Sequence, residues 1–127
     1  MNLAKNDAAT MLAVKDLGRA RRFYEDVLGL EKIGEEGGEV VTYRSGASTI
    51  NVYRSEFAGT NKATSLTWDV DDIEDVIRDL KSKGVAFEHY RMPGLRQEGD
   101  IFVAEEGDFR TAWFKDPDGN ILSVVED

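Results

Sequence analysis

The chain of 127 residues contains one histidine, His89, and no cysteine. With one imidazole and no thiolate, a single chain cannot build a two-histidine, one-carboxylate iron site or a three-histidine zinc site. A magnesium or manganese site made only of carboxylates stays open on composition. Disulfide frames and thiolate nucleophiles are excluded. Asp116 and Asp118 lie in FKDPDGN, but the spacing and closing glutamate of a calcium loop are missing, so this stretch reads as a turn. The sequence has no dinucleotide-binding glycine motif, no P-loop, no nucleophile-elbow serine and no HExxH. Ser123, set into the apolar run ILSVV, has no nearby base in sequence to activate it as a nucleophile.

The elements that must position these residues come in two similar sets. Residues 10–15 have extended character, Asp16 suits a helix N-cap, and Leu17, Ala20, Tyr24, Val27 and Leu28 recur at helical spacing. Residues 65–70 alternate like a half-buried strand, and Ile73, Val76, Ile77 and Leu80 then mark one helix face, with acids early, Lys81 and Lys83 late and Gly84 as a stop. An offset of 56 carries Val14 onto Val70, Asp16 onto Asp72, Leu17 onto Ile73 and Ala20 onto Val76, which is an internal repeat. Strand-like runs follow each helix: 31–34, 40–44 and 49–54 in the first half, and 85–90, 110–115 and 121–125 in the second. Each half is therefore expected to be β-α-β-β-β. The closing strands match Ile50-Asn51-Val52 to Leu122-Ser123-Val124 at an offset of 72, so the second half carries about sixteen extra residues. The stretch from Met92 to Asp108 is expected to hold them as a long loop, acidic over 98–108.

Length fits one domain, and 41% apolar with 32% charged residues is ordinary for a globular chain. No run is long and apolar enough to span a bilayer, the N-terminus has no signal-peptide core, and the lack of cysteine makes a cytoplasmic, reducing compartment the expectation. The net charge is −9; residues 1–62 hold nine bases and nine acids, whereas residues 63–127 hold seven and sixteen. This imbalance argues against nucleic acid and against membrane as partners, and mildly favours cationic ligands. The alternative is that the acids serve solubility alone.

A paired β-α-β-β-β repeat that opens with LAVKDLGRARRFYEDVLGLEK and closes with AWFKDPDGNILSVVE resembles the vicinal oxygen chelate superfamily. That superfamily includes glyoxalase I, extradiol dioxygenases, fosfomycin-resistance enzymes and bleomycin-binding proteins, and FEHYRMPGLRQEGDIFVAEEGDFRTAWFKDPDGN looks like its small bacterial members. The resemblance implies an α+β fold, one domain over 1–127 with modules at about 8–55 and 63–126. Their strands would curl into an open, cup-like mixed sheet with one face on the helices and the other lining a ligand cavity. Period-two parity agrees with two unlike faces: Leu12, Val14, Leu66, Trp68, Val70, Leu122 and Val124 are bulky and apolar, while Ala9, Met11, Ala13, Asn51, Tyr53, Ser65, Thr67, Asp69 and Ser123 are smaller or polar.

Metal-dependent members carry a ligand on the first strand of each module and a carboxylate on the last. Those positions are Ala9, Ser65, Asn51 and Ser123 here, none of which is a histidine or a carboxylate. No metal and no cofactor is therefore expected. The candidate contacts for a small organic ligand are Asn51, Tyr53, Ser65, Thr67, Asp69, His89, Trp113 and Ser123. Trp113 is either a stacking surface or a packed residue, with Phe114 on the opposite face as the core aromatic. Tyr53 offers a phenol or is an amphipathic strand residue. His89 is a general base, a ligand contact or an exposed strand-end histidine. Asp69 is a cation anchor or base, or a solvated acid. No catalytic residue is assigned. The resemblance implies a homodimer and two function classes: capture of a small molecule without metal, or catalysis as a glyoxalase-like lyase or isomerase, or a dioxygenase, through an unconventional site.

Overall fold

The structure, a computed structural model, describes residues 3–127. The chain divides into two compact units, Met1–Gly59 and Thr60–Asp127. In the first, a 3-10 turn at Leu3–Lys5 precedes β1 (Thr10–Val14), α1 (Leu17–Arg21), β2 (Glu31–Glu36), β3 (Val40–Ser45) and β4 (Ser48–Arg54). In the second come β5 (Thr64–Asp69), α2 (Ile73–Ser82), β6 (Phe87–Glu88), β7 (Leu95–Glu98), β8 (Ile101–Ala104), β9 (Arg110–Lys115) and β10 (Ile121–Glu126). The fold is α+β, with two open sheets and few helices. No helix among the described residues is long and apolar enough to cross a membrane.

The internal repeat is visible in geometry. Asp16 and Asp72 sit in extended conformation and cap their helices identically, accepting from the backbone N–H of Arg19 and of Asp75 at 3.1 Å. In each unit the first strand lies parallel to the last: Leu12 faces Val52 in β1–β4, and Trp68 faces Val124 in β5–β10. Those registers reproduce the offsets of 56 and 72 read from the residues. A parallel pair needs a long crossover, and the helix in each unit supplies it.

The first sheet runs β1-β4-β3-β2 and the second β5-β10-β9-β8-β7, with β6 also paired to β9. One face of each is apolar. Leu12, Val14, Ile50, Val52, Val41 and Tyr43 are buried in the first unit, together with Ala20 and Tyr24 of the helical segment. Leu122, Val124, Ala112 and Phe114 are buried in the second, with Ile73, Ile77 and Leu80 of α2. Phe114 is the expected core aromatic, stacked on Trp68 at 6.4 Å and packed on Phe87 at 5.6 Å.

Three elements depart from the sequence reading. The first helix does not continue as regular α-helix: after Arg21 it widens into a π-helical segment, Arg22–Val27, closed by Leu28 N–H to Phe23 C=O. The wider turn keeps Tyr24 in the core while Glu25 accepts from Tyr43 Oη at 2.7 Å and from Arg21 Nε at 2.9 Å. Burial and the Glu25 carboxylate hold the Tyr43 phenol far above its ordinary pKa. The strand expected over 85–90 shrinks to Phe87–Glu88, leaving His89 and Tyr90 outside it. The expected long loop instead contains the β7–β8 hairpin. Gly99, at φ +66°, opens its two-residue turn with Asp100, and a glycine in that position suits a type II′ connection.

Removing an N-cap carboxylate leaves a helix N–H unpaired. Asp72→Ala should lower unfolding free energy by about 1 kcal/mol and Asp72→Asn by only a few tenths. Urea denaturation of the three proteins checks this.

Candidate functional site

Cross-strand pairing places side chains that share a face. In the second unit Glu88, Trp113, Ser123 and Thr67 form one row across β6, β9, β10 and β5. Gln97, Phe102, Thr111, Val125 and Asp69 form the next row, across β7, β8, β9, β10 and β5. This is the face opposite Phe114 and α2. Of the eight sequence candidates, it brings together Thr67, Trp113 and Ser123, with Asp69 exposed one row away.

The row is closed by short hydrogen bonds. Thr67 Oγ1 and Ser123 Oγ lie 2.6 Å apart, and Ser123 is only 3% exposed. Trp113 is 8% exposed, its Nε1–H donating to Thr64 Oγ1 at 3.2 Å. Its indole packs on Phe102 at 5.2 Å and edge-on against Tyr90 at 5.5 Å, and with Ile121 and Leu95 these rings form an apolar cluster on the polar face. Trp113 is thus oriented by a fixed hydrogen bond and covered by neighbouring rings. Ser65 occupies a register shift between β5 and β10, and its Oγ accepts from Asn61 Nδ2 at 3.3 Å.

Asn51 and Tyr53 lie in the first unit, on the face of β4 that carries Met11, Ala13 and Thr42. Asn51 Oδ1 accepts from Thr42 Oγ1 at 2.6 Å, and its amide nitrogen contacts Met11 Sδ at 3.5 Å. Tyr53 is half-buried between Ala13 and Val40. Asn51 and Ser123, matched in the repeat, therefore each bond a threonine hydroxyl at 2.6 Å, on a different neighbouring strand in each unit.

In neither unit do the positions that the resemblance marks for a metal carry donors that fit a divalent ion. Ala9 has no side-chain donor, and Ser65, Asn51 and Ser123 offer neutral oxygens already engaged in hydrogen bonds. Among the described residues no three of His, Cys, Asp and Glu gather as a metal would require. Asp116 is buried in its turn, accepting from the N–H groups of Asp118 and Asn120 and from Asn120 Nδ2 at 2.8–2.9 Å.

His89 is half out in solvent beyond the end of β6, and both its ring nitrogens are engaged. Nε2 lies 2.9 Å from Asp100 Oδ1, and Nδ1 lies 3.1 Å from Gln97 Nε2. An amide NH2 can only donate, so Nδ1 accepts and the neutral ring carries its proton on Nε2, toward Asp100. Lys81 of α2 holds the other Asp100 oxygen at 2.8 Å. The Lys81 ammonium first, and His89 second, keep the Asp100 carboxyl below its ordinary pKa. The result is a tether from α2 through the β7–β8 turn to His89. To act as a free base, His89 would have to release Asp100 or Gln97.

Tyr90, Phe102, Glu88 and Gln97 share this face or its edge, and none of them stands out in the sequence as a candidate. The apolar run Ile101-Phe102-Val103-Ala104 after a Gly-Asp turn is the signal for Phe102; Tyr90 has none beyond being aromatic.

A family model described as Glyoxalase/Bleomycin resistance protein/Dioxygenase superfamily matches residues 8–124. Virulence protein STM3117 of Salmonella typhimurium is 25% identical over 126 residues, covering 91% of this chain and 80% of that protein. The solved lactoylglutathione lyase of Agrobacterium tumefaciens aligns with a TM-score of 0.70 at 18% identity, over 96% of this chain and 93% of its own. The fosfomycin resistance protein FosX of Listeria monocytogenes aligns at 0.73 and 14% identity, over 97% and 93% respectively.

Two outcomes follow from the hydrogen bonds. Thr67→Val strands a buried Ser123 hydroxyl and should cost about 1–3 kcal/mol, most of it recovered in Thr67→Val/Ser123→Ala; a urea double-mutant cycle measures both. Asp100, with its folded pKa lowered, adds stability that is complete above its unfolded value near 4 and is lost as pH falls through the folded value. Asp100→Asn should therefore be less stable than the parent at neutral pH, and the gap should close as acid takes the pH down through the lowered folded value, read by denaturation at stepped pH.

Proposed function

The chain belongs to the glyoxalase/bleomycin resistance protein/dioxygenase superfamily, and within it we propose a metal-independent protein that binds a small organic molecule and sequesters a cationic or aromatic compound without covalent chemistry. The observation that carries this reading is the state of Asn51 and Ser123. Both stand where metal-dependent members carry a carboxylate, both are neutral, and both are bonded to a threonine hydroxyl at 2.6 Å. A side chain so engaged binds metal weakly and has no charge to lend a reacting atom. Supporting it, the face of the second unit that carries Ser123 holds an indole in a fixed orientation beneath Tyr90, two hydroxyls and the carboxylates of Glu88 and Asp69, a set suited to flat, electron-poor or cationic rings. The working form of the proposal is a cytoplasmic homodimer.

The alternative is an enzyme, a glyoxalase-like lyase or isomerase or a dioxygenase with an unconventional metal site. Its support is the fold shared with a lactoylglutathione lyase. Its chemistry would fall to His89, whose nitrogens are both occupied.

Elemental analysis of protein purified without chelators separates the two. Less than a tenth of an equivalent of nickel, zinc, iron or manganese is expected, and one equivalent of any would overturn metal independence. Proflavine, a flat cationic ring system, should raise the melting temperature of the parent. It should leave that of Trp113→Ala unchanged relative to the variant's own lower baseline. Equal increments in both would remove Trp113 from the site.

A further inference from the structure

On the ligand face of the second unit, polar side chains are paired: Thr67 with Ser123, Thr111 Oγ1 with Val124 C=O, and Trp113 Nε1 with Thr64. Tyr90 is different. Its phenol oxygen is buried and has no hydrogen-bond partner among the described residues. Burying a hydroxyl in that way is costly, and native structures tolerate it rarely. The ring itself stands edge-on to Trp113, 73° between planes, and completes the apolar cluster that hides the indole.

The two partners of this contact are held differently. Trp113 lies in mid-strand on β9, with β10 on one side and β6 on the other, its indole pinned by Thr64 and backed by Phe102. Tyr90 lies two residues past the last β6–β9 pair, in the connection that runs through Pro93 and Gly94 to β7. Packing alone keeps its side chain in place. A turn of that side chain toward solvent would hydrate the hydroxyl and uncover the indole, while Trp113 would stay where it is. Burial, and after it the charge of Glu88, hold the phenol above its ordinary pKa, so it stays a neutral donor throughout the physiological range.

We propose that Tyr90 is the gate of the Trp113 site, and that the molecule admitted is a planar aromatic ring, which takes the place of the phenol against the indole. This rests on the reading of that face as the ligand site. The closed state is destabilised by its own unpaired hydroxyl, so a minor open state is kept within reach, and the ligand binds that state. Such a gate selects for flat rings because the gap it opens against the indole has the thickness of a phenol ring and is open to solvent at its outer edge. The β7–β8 hairpin, through Phe102, supplies the wall that remains.

The gate is tested first without a ligand. In a Trp68→Phe background Trp113 is the sole tryptophan, and acrylamide quenching of its emission reads how often it is uncovered. Tyr90→Phe deletes only the unpaired oxygen. It should slow quenching about five- to tenfold and raise the melting temperature by several degrees. Tyr90→Ala should quench faster than the parent. If Tyr90→Phe quenches as fast as the parent, or melts lower, the hydroxyl has a partner such as a bound water, and the gate is refuted. Calorimetry with proflavine is the second arm. Affinity should fall in Tyr90→Phe by the factor seen in quenching and be at least that of the parent in Tyr90→Ala. The expected quenching pattern with no proflavine bound by any variant would uphold the gate and overturn the aromatic-ligand reading. Weaker binding in Tyr90→Ala than in the parent would make Tyr90 a contact and overturn its role as a gate.

Discussion

The fold depends on one pairing made twice: the first strand of each unit set parallel to its last. β1 on β4 and β5 on β10 fix the register that puts Met11 beside Asn51 and Thr67 beside Ser123. Because the pair is parallel, a helix must bridge it, and because that helix needs an apolar floor, alternate residues of the same strands are driven to the other face. Leu12, Val14, Leu122 and Val124 go to the helix side and are buried. Asn51, Thr67 and Ser123 have no other place to go. A shift of one residue in either ladder would exchange the two sets and put hydroxyls under the helix, which is why the register is so firmly specified.

On this shared plan the units have diverged. In the first, Asn51 turns to Thr42 on β3; in the second, Ser123 turns to Thr67 on β5. The second also carries the β7–β8 hairpin, which places Phe102 beside Trp113 and projects Asp100 between Lys81 and His89. One insertion thus supplies both an aromatic wall and the tether that fastens it to α2. Most of its other acids are exposed, and Glu98 is paired with Arg96 at 2.8 Å. The excess negative charge of the second unit therefore surrounds the face more than it enters it. Charge of that kind biases which ligands approach without adding a catalytic group.

How much of this the residues disclose follows from range. The caps, the repeat offsets and the alternation on β1, β4, β5 and β10 are local or periodic, and all are legible in the sequence. That Ala9, Ser65, Asn51 and Ser123 are neither histidine nor carboxylate is read directly, but that these are the positions to look at comes from the resemblance to the superfamily and not from the two halves. The hairpin is not legible, because Leu95-Arg96-Gln97-Glu98 has weak strand character alone and is held by pairing with β8. Nor is the π-helical widening, because the spacing of Leu17, Ala20, Tyr24, Val27 and Leu28 suits an ordinary α-helix equally well. Adjacency to Phe114 places Trp113 on the opposite face, but its burial depends on Tyr90 and Phe102, partners 23 and 11 positions away in sequence. Periodicity gives a side; it does not give what covers it.

The two kinds of polar group on the face then divide the work between them. A hydroxyl pair at 2.6 Å, such as Thr67 with Ser123, satisfies itself and demands little from a ligand, so it makes a polar wall without strong selectivity. An unsatisfied hydroxyl such as that of Tyr90 does the reverse: it raises the energy of the closed state and so sets how readily the indole is uncovered. Ser123 is a neutral hydroxyl and brings no charge to this face. With the hydroxyls paired to each other and the Asp69 carboxylate out in solvent, the indole is the largest surface the face holds, and on the proposed reading the residue that covers it controls recognition.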